Sequence, residues 1–176
     1  KITTDHIMPV GPLLKHRSNV PAYANFVFYH LGEEGQPTFA ERARAVKEAG
    51  GFGAIVAADS YGQGSSREHA ALCPMYLGVR AVIAKNIERI HKANLINFAI
   101  VPLEFVEEAD YDRINPADEL VIDRLTEAVR NAETVSVKNR TNSSEFTCQL
   151  NLSRRDRDIL LAPGLLKYTR DKAQRK

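Results

Sequence analysis

Residues 51–103, GFGAIVAADSYGQGSSREHAALCPMYLGVRAVIAKNIERIHKANLINFAIVPL, decide the fold. Three apolar runs within them, GFGAIVAAD (51–59), VRAVIA (79–84) and FAIVPL (98–103), read as buried strands. A glycine-rich turn follows the first run. A helical stretch then starts at about residue 66 and is bent or restarted at Pro74. NIERIHKANLIN (86–97) reads as a second helix, with Ile87, Ile90 and Leu95 toward one side. Strand–helix–strand–helix–strand is the pattern of a parallel α/β layer.

Upstream, Thr38 and Glu41 make a capping box for FAERARAVKEA, a helix that runs to Gly50 at its C′ position. The apolar run YANFVFYHL (23–31) fits either helix or strand, and Gly32, Gly35 and Pro37 end it. Residues 1–22 are punctuated by Pro9, Gly11, Pro12 and Pro21 and read as irregular. Downstream, ELVID (119–123), TVSVK (134–138) and EFTCQL (145–150) are short strands. The polar turn NRTNSS joins the last two as a hairpin. A terminal helix starts near Ser153, and a break at Pro163-Gly164 precedes a basic tail. The expected architecture is α/β, with a mostly parallel central sheet and a small β layer behind it, in one domain over residues 1–176.

The 176 residues suit one domain with a real core. Apolar residues at 44% and charged residues at 26% exclude a disordered tail, a collagen-like repeat and a coiled coil. No window approaches the roughly 18 apolar residues of a membrane span. A net charge of +2, from 24 basic and 22 acidic residues, gives no support to nucleic-acid or membrane partners. Cys73 and Cys148 form no CxxC and no Cys/His ligand spacing, so they read as two reduced, buried thiols. The N-x-S/T triplets at Asn139, Asn142 and Asn151 read as chance. Lys1 in place of a starting Met predicts a processed or excised chain with a segment missing upstream.

The chemistry concentrates in DSYGQGSSREHAA (59–71), where a buried strand meets a helix start. Gly62 and Gly64 allow a sharp turn with backbone close to a ligand. Ser65 and Glu68 have the S-x-x-E spacing of a capping box. A helix N-terminus turns free N–H groups and a positive dipole end toward an anion. Arg67 adds a fork that can grip a carboxylate or phosphate. The better-known motifs fail. No Lys follows as in a P-loop, Arg67 stands at the third glycine of a dinucleotide fingerprint, and Glu68 breaks G-x-S-x-G. What remains is an anion site with hydroxyls beside it.

YGQGSSREHAAL (61–72) followed by LGVRAVIAKNIERIHKANLINFAIVPLEF (77–105) closely resembles the carboxy-terminal swivelling domain of the aconitase superfamily. TTDHIMPVGPLLKHR (3–17), HKANL (91–95) and APGLLKY (162–168) extend the resemblance over nearly the whole chain. The resemblance implies a swivelling β/β/α three-layer domain of a hydro-lyase. Such an enzyme isomerises citrate and isocitrate through cis-aconitate. The TTDHI opening and the tyrosine before the glycine turn look more like true aconitase than like the small subunit of isopropylmalate isomerase or homoaconitase, which is the alternative. A more remote alternative is a non-catalytic anion-binding module.

By the same resemblance, Ser65 is the catalytic base that removes a proton next to a substrate carboxylate. Ser66, Arg67 and Arg17 bind substrate carboxylates, and Asp5 supports the site. Glu68, His69 and His91 read as structural. The family's [4Fe–4S] cluster, held by three cysteines, is implied to lie on other domains, since neither Cys73 nor Cys148 matches a cluster ligand. This chain would bind no metal itself. The implied partners are the cluster-bearing domains, joined covalently or as a large subunit, and a tricarboxylate substrate. The implied address is cytoplasmic, or the mitochondrial matrix in a eukaryote.

Overall fold

The computed structural model describes residues 1–174. The elements follow in order as β1 (Ile2–Thr3), α1 (Thr4–Ile7), α2 (Val20–Tyr23), α3 (Phe39–Glu48), β2 (Gly53–Ala57), β3 (Tyr61–Gln63), α4 (His69–Tyr76), β4 (Val79–Ala84) and α5 (Arg89–Asn97). After these come β5 (Val101–Phe105), β6 (Leu120–Val121), α6 (Leu125–Asn131), β7 (Thr134–Asn139), β8 (Ser144–Gln149), α7 (Arg154–Leu161) and α8 (Leu165–Gln174). The protein is α/β, as the alternation of apolar runs and helices implies. A six-stranded mixed sheet, ordered β2-β4-β5-β8-β7-β6, carries the fold, and β1 pairs with β3 in a small parallel sheet beside it.

β2, β4 and β5 are parallel, with Ile55 beside Val82 and Ile83 beside Leu103. α4 and α5 make the crossovers that parallel neighbours require. From sequence, the three late strands are expected to form a small layer of their own; instead they continue the main sheet antiparallel, Phe105 of β5 lying beside Cys148 of β8. β7 alternates strictly, burying Val135, Val137 and Asn139 and exposing Thr134, Ser136 and Lys138. Its apolar face continues the face of β5, and the pairing covers an edge that β5 would otherwise leave open.

The sheet separates two cores. On β4, Val82 and Ala84 face one core while Ala81 and Ile83 face the other, the period of two that a strand imposes. The first core gathers Ile7, Met8 and Tyr23 from the N-terminal region with Ala70, Cys73 and Leu77 of α4 and its C-cap. The second joins Leu103 and Phe105 to Val129 of α6, Val137, Cys148, Ile159 and Leu160.

Capping boxes begin two helices where the sequence placed them. Thr38 Oγ1 accepts from the Glu41 N–H at 3.2 Å, and Ser153 Oγ accepts from the Asp156 N–H at 3.2 Å. Gly50 follows the end of α3 with φ +82°, the left-handed C′ conformation that glycine adopts at least cost. Four local expectations change. Residues 1–22 hold β1, α1 and α2 rather than irregular chain alone. α4 is continuous through Pro74. The stretch after Gly164 is the helix α8; its final residues, 175 and 176, lie outside the described ones. The buried face of α5 is His91, Asn94, Leu95 and Ile96, whereas Ile90 is 50% exposed. Apolar spacing places Ile87 and Leu95 correctly but not Ile90, whose place on the inner side is taken by the polar His91 and Asn94 against the glycine turn.

Candidate active site

β2 and β3 deliver the chain to a turn bracketed by Gly62 at φ +84° and Gly64 at φ +110°, backbone that a side chain rarely adopts. A Cβ on Gly62 would lie 2.2 Å from Cγ of His91, so this glycine lets β3 lie directly on α5. Beyond Gly64 the expected capping box is absent. The first helical residue is His69, Glu68 sits at the cap with no side-chain hydrogen bond, and Ser65 is exposed. The long-range anchorage of Arg67 is the physical reason. Its Nη1 donates to Asp5 Oδ1 at 2.8 Å and to the Met8 carbonyl at 2.9 Å, and its Nη2 donates to Ser65 Oγ at 3.2 Å. Ties to residues about sixty positions away hold 65–67 out of the helix, against a local cap contribution of only about 1 kcal/mol.

Three of the five residues singled out from sequence are thus directly bonded: Asp5, Ser65 and Arg67. Ser66 lies exposed next to them. Arg17 is exposed, and its guanidinium has no hydrogen-bond or ion-pair partner among the described residues. The structure ties Arg17 to the turn through its backbone instead: Nε2 of His69 donates to the Arg17 carbonyl at 3.0 Å. A carbonyl only accepts, so the Nε2 position carries the proton. Sequence spacing did not reveal this bond, nor the one from the Tyr23 hydroxyl to the Pro9 carbonyl at 2.8 Å. Both span unrelated stretches of chain, and no local pattern marks them.

The backbone N–H groups of Ser65, Ser66, Arg67 and Glu68, which precede the first turn of α4, donate to no acceptor among the described residues. Consecutive free amides of this kind form a concavity suited to an anion. Ser65, Ser66 and Arg67 rim a shallow crevice whose floor is Thr4, His91 and Asn94. Thr4 Oγ1, both ring nitrogens of His91 and Asn94 Nδ2 are buried without a partner among the described residues. The chemical potential of the site is therefore a hydroxyl held by a guanidinium, next to free amides and above a polar floor. A larger cavity of about 480 Å³, between α7 and α8, holds none of these residues.

His91 supplies a pH signature. It is 1% exposed, and burial lowers its pKa from the ordinary 6.5 to about 4. Folding therefore favours the neutral ring. This contribution is complete above pH 6.5 and declines as pH falls toward 4, by about 3 kcal/mol in all at 1.36 kcal/mol per unit. The expected result is a flat His91 imidazole chemical shift between pH 7 and 5. An inflection above pH 6 would contradict the burial argument.

The residues present do not fit an iron–sulfur cluster. Cys73 lies in one core and Cys148 in the other, on opposite faces of the sheet. Both thiols are free, and burial pushes each up to about 12, the reverse of what a metal thiolate needs. Among the described residues no group of three or more His, Cys, Asp or Glu side chains could hold a metal ion. No helix among them is long and apolar enough to cross a membrane.

Known proteins are similar to this chain. The family model of the aconitase C-terminal domain matches residues 16–108. A probable mitochondrial aconitate hydratase of Caenorhabditis elegans is 36% identical over 167 residues, which is 86% of this chain and 21% of that protein. The mitochondrial aconitate hydratase of Saccharomyces cerevisiae is 38% identical over 144 residues, 72% of this chain and 18% of its own length. The chain spans about a fifth of the length of these curated relatives. Among solved structures, the 3-isopropylmalate dehydratase of Methanocaldococcus jannaschii matches with a TM-score of 0.76 at 26% identity, covering 99% of this chain and 89% of that one. The family match opens beside Arg17 and closes just after β5, so it contains the serine turn, its flanking strands and the helix that supports it; the chain belongs to the aconitase C-terminal-domain family.

Proposed function

We propose that residues 1–176 form the swivel-type domain of an aconitase-type hydro-lyase that interconverts citrate and isocitrate through cis-aconitate. In this reading the chain supplies the proton-transferring serine and the carboxylate clamps, and the cluster-bearing domains lie outside it. The observation that carries the reading is the 3.2 Å bond from the Arg67 guanidinium to Ser65 Oγ. A serine hydroxyl is a poor base at its ordinary pKa. A cationic donor already in place lowers the cost of losing the hydroxyl proton to form the alkoxide, the species that acts as base. Asp5 and the Met8 carbonyl fix the guanidinium, which leaves little reorganisation for the reacting step.

The hydroxyl of Ser66, the Arg67 guanidinium and the free amides of 65–68 take one substrate carboxylate, and the guanidinium of Arg17, without a partner among the described residues, takes another. Ser65, its own proton released to solvent and its alkoxide held by the Arg67 guanidinium, then takes the proton from the carbon next to a bound carboxylate and gives it back in the reverse addition. The relatives' mitochondrial names support a matrix location in a eukaryote. The match to 3-isopropylmalate dehydratase over nearly this whole chain keeps a second reading in view, the small subunit of an isopropylmalate or homoaconitate isomerase.

The test is turnover of citrate, 3-isopropylmalate and homocitrate by the complete enzyme that contains this chain. Citrate should give the highest kcat/KM. Arg67→Lys keeps the charge but loses the fork. It should raise KM and lower kcat, each by about tenfold, the equivalent of one lost charge-assisted bond. Preference for 3-isopropylmalate or homocitrate would select the second reading, and turnover of none of the three would reject both.

A further inference from the structure

We propose that His69 is a positioning residue that sets where Arg17 stands relative to the Ser65–Arg67 turn; the inference rests on the functional reading of Arg17 as a carboxylate clamp. Arg17 caps the 3-10 segment Gly11–His16, in which no residue is buried. Such a segment takes its place from a few anchors rather than from core packing. Leu13 packs on the rim of the first core, and His16 stacks on Phe26 at 5.5 Å. The chain entering the segment is held by Arg67 on the Met8 carbonyl and by Tyr23 on the Pro9 carbonyl. Arg17 itself takes part in two bonds among the described residues: its N–H donates to the Leu14 carbonyl at 3.0 Å inside the segment, and the His69 bond at 3.0 Å ties it to the rest of the fold.

The brace starts from a rigid point. His69 is the first residue of α4, two positions after Arg67. Its ring meets Tyr23 edge-on, with centroids 5.3 Å apart and planes at 62°. Tyr23 is fully buried and its hydroxyl is already committed to Pro9, so the face against which His69 rests does not move. One stretch, 65–69, therefore carries both the reactive hydroxyl and the hold on a distant clamp. Fixing the Arg17 carbonyl fixes its Cα and narrows the arc that its exposed guanidinium can sweep. A ligand with two carboxylates needs the two anion sites at a constant separation, and a displacement of about 1 Å is enough to cost up to about 10²-fold.

The experiment uses the complete enzyme with citrate and four variants: His69→Ala, His69→Gln, Arg17→Ala and the double variant His69→Ala/Arg17→Ala. The Gln amide nitrogen reaches about where Nε2 stands and donates one bond. His69→Ala should raise KM by about tenfold with kcat within threefold, and His69→Gln should restore KM to within about threefold of wild type. In the Arg17→Ala background, His69→Ala should add less than about twofold, because its effect passes through Arg17. An equal increase in both backgrounds, an unchanged KM, or a Gln variant as impaired as Ala would overturn the inference. Amide hydrogen exchange of residues 11–17 gives a readout independent of turnover. It should speed up in His69→Ala and not in His69→Gln, and unchanged exchange in both would also overturn the brace. Wild-type enzyme that turns over no citrate would instead defeat the functional reading.

Discussion

Ser65→Ala in the complete enzyme is expected to lower kcat by about 10²–10⁴-fold, the usual contribution of a general acid–base group. KM should change little, because Arg17, Ser66, Arg67 and the free amides of the turn remain. Thermal stability should also change little. From sequence, Ser65 doubled as a helix cap, and loss of a cap costs about 0.5–2 kcal/mol. In the structure it caps nothing: α4 begins at His69, and the Ser65 hydroxyl is exposed and bonded to Arg67. Exposed substitutions away from such features stay within about 0.5 kcal/mol. Measuring kcat and the melting temperature of the same preparation separates the roles. A lower melting temperature with near-normal kcat would return Ser65 to a structural part and move the proton-transfer assignment to Ser66.

Gly62→Ala should have the largest effect on stability. The added Cβ would stand 2.2 Å from Cγ and 2.4 Å from Cβ of His91, a side chain that is 1% exposed and has nowhere to go. The position also has φ +84°. Left-handed backbone costs a non-glycine residue about 1–2 kcal/mol, and overpacking a core adds about 1–3 kcal/mol. A loss of about 2–5 kcal/mol is a large share of a typical 5–15 kcal/mol. Gly64→Ala is the control. Its φ is +110°, but the nearest atom to the new Cβ is Thr4 Oγ1 at 3.4 Å, an ordinary contact. It should lose only the backbone part, about 1–2 kcal/mol. Urea midpoints of the two variants decide the matter: equal losses would mean that the His91 contact is soft.

The sequence alone determined the secondary-structure alternation from residue 51 to 103, the capped helix at Thr38, the hairpin of β7 and β8, and the glycine-serine turn as the place where chemistry concentrates. These are local properties. Apolar period, capping spacing and turn composition are fixed by neighbours a few positions apart. β4 runs from Val79 to Ala84, the span that its apolar run gave. The resemblance to a known family supplied the roles of Ser65, Ser66, Arg67, Arg17 and Asp5, which spacing could not.

Tertiary structure decided what depends on contacts far apart in the chain. Ser65 and Glu68 have a correct capping pattern that is never used, because Arg67 is drawn to Asp5 and Met8 and delays the helix by a turn. A used capping box would have occupied the N–H groups of Ser65 and Glu68; its absence leaves them free beside those of Ser66 and Arg67. α5 turns His91 and Asn94 inward beside the apolar Leu95 and Ile96, and Ile90 outward, because part of the surface it meets is the backbone of Gly62, which the His91 ring covers. Arg17 reaches the turn through its own carbonyl and His69, a pairing of residues 52 positions apart that no periodicity encodes. A local pattern states which conformations are inexpensive. When long-range bonds worth more than about 1 kcal/mol compete with a cap worth about the same or less, the long-range bonds choose among them.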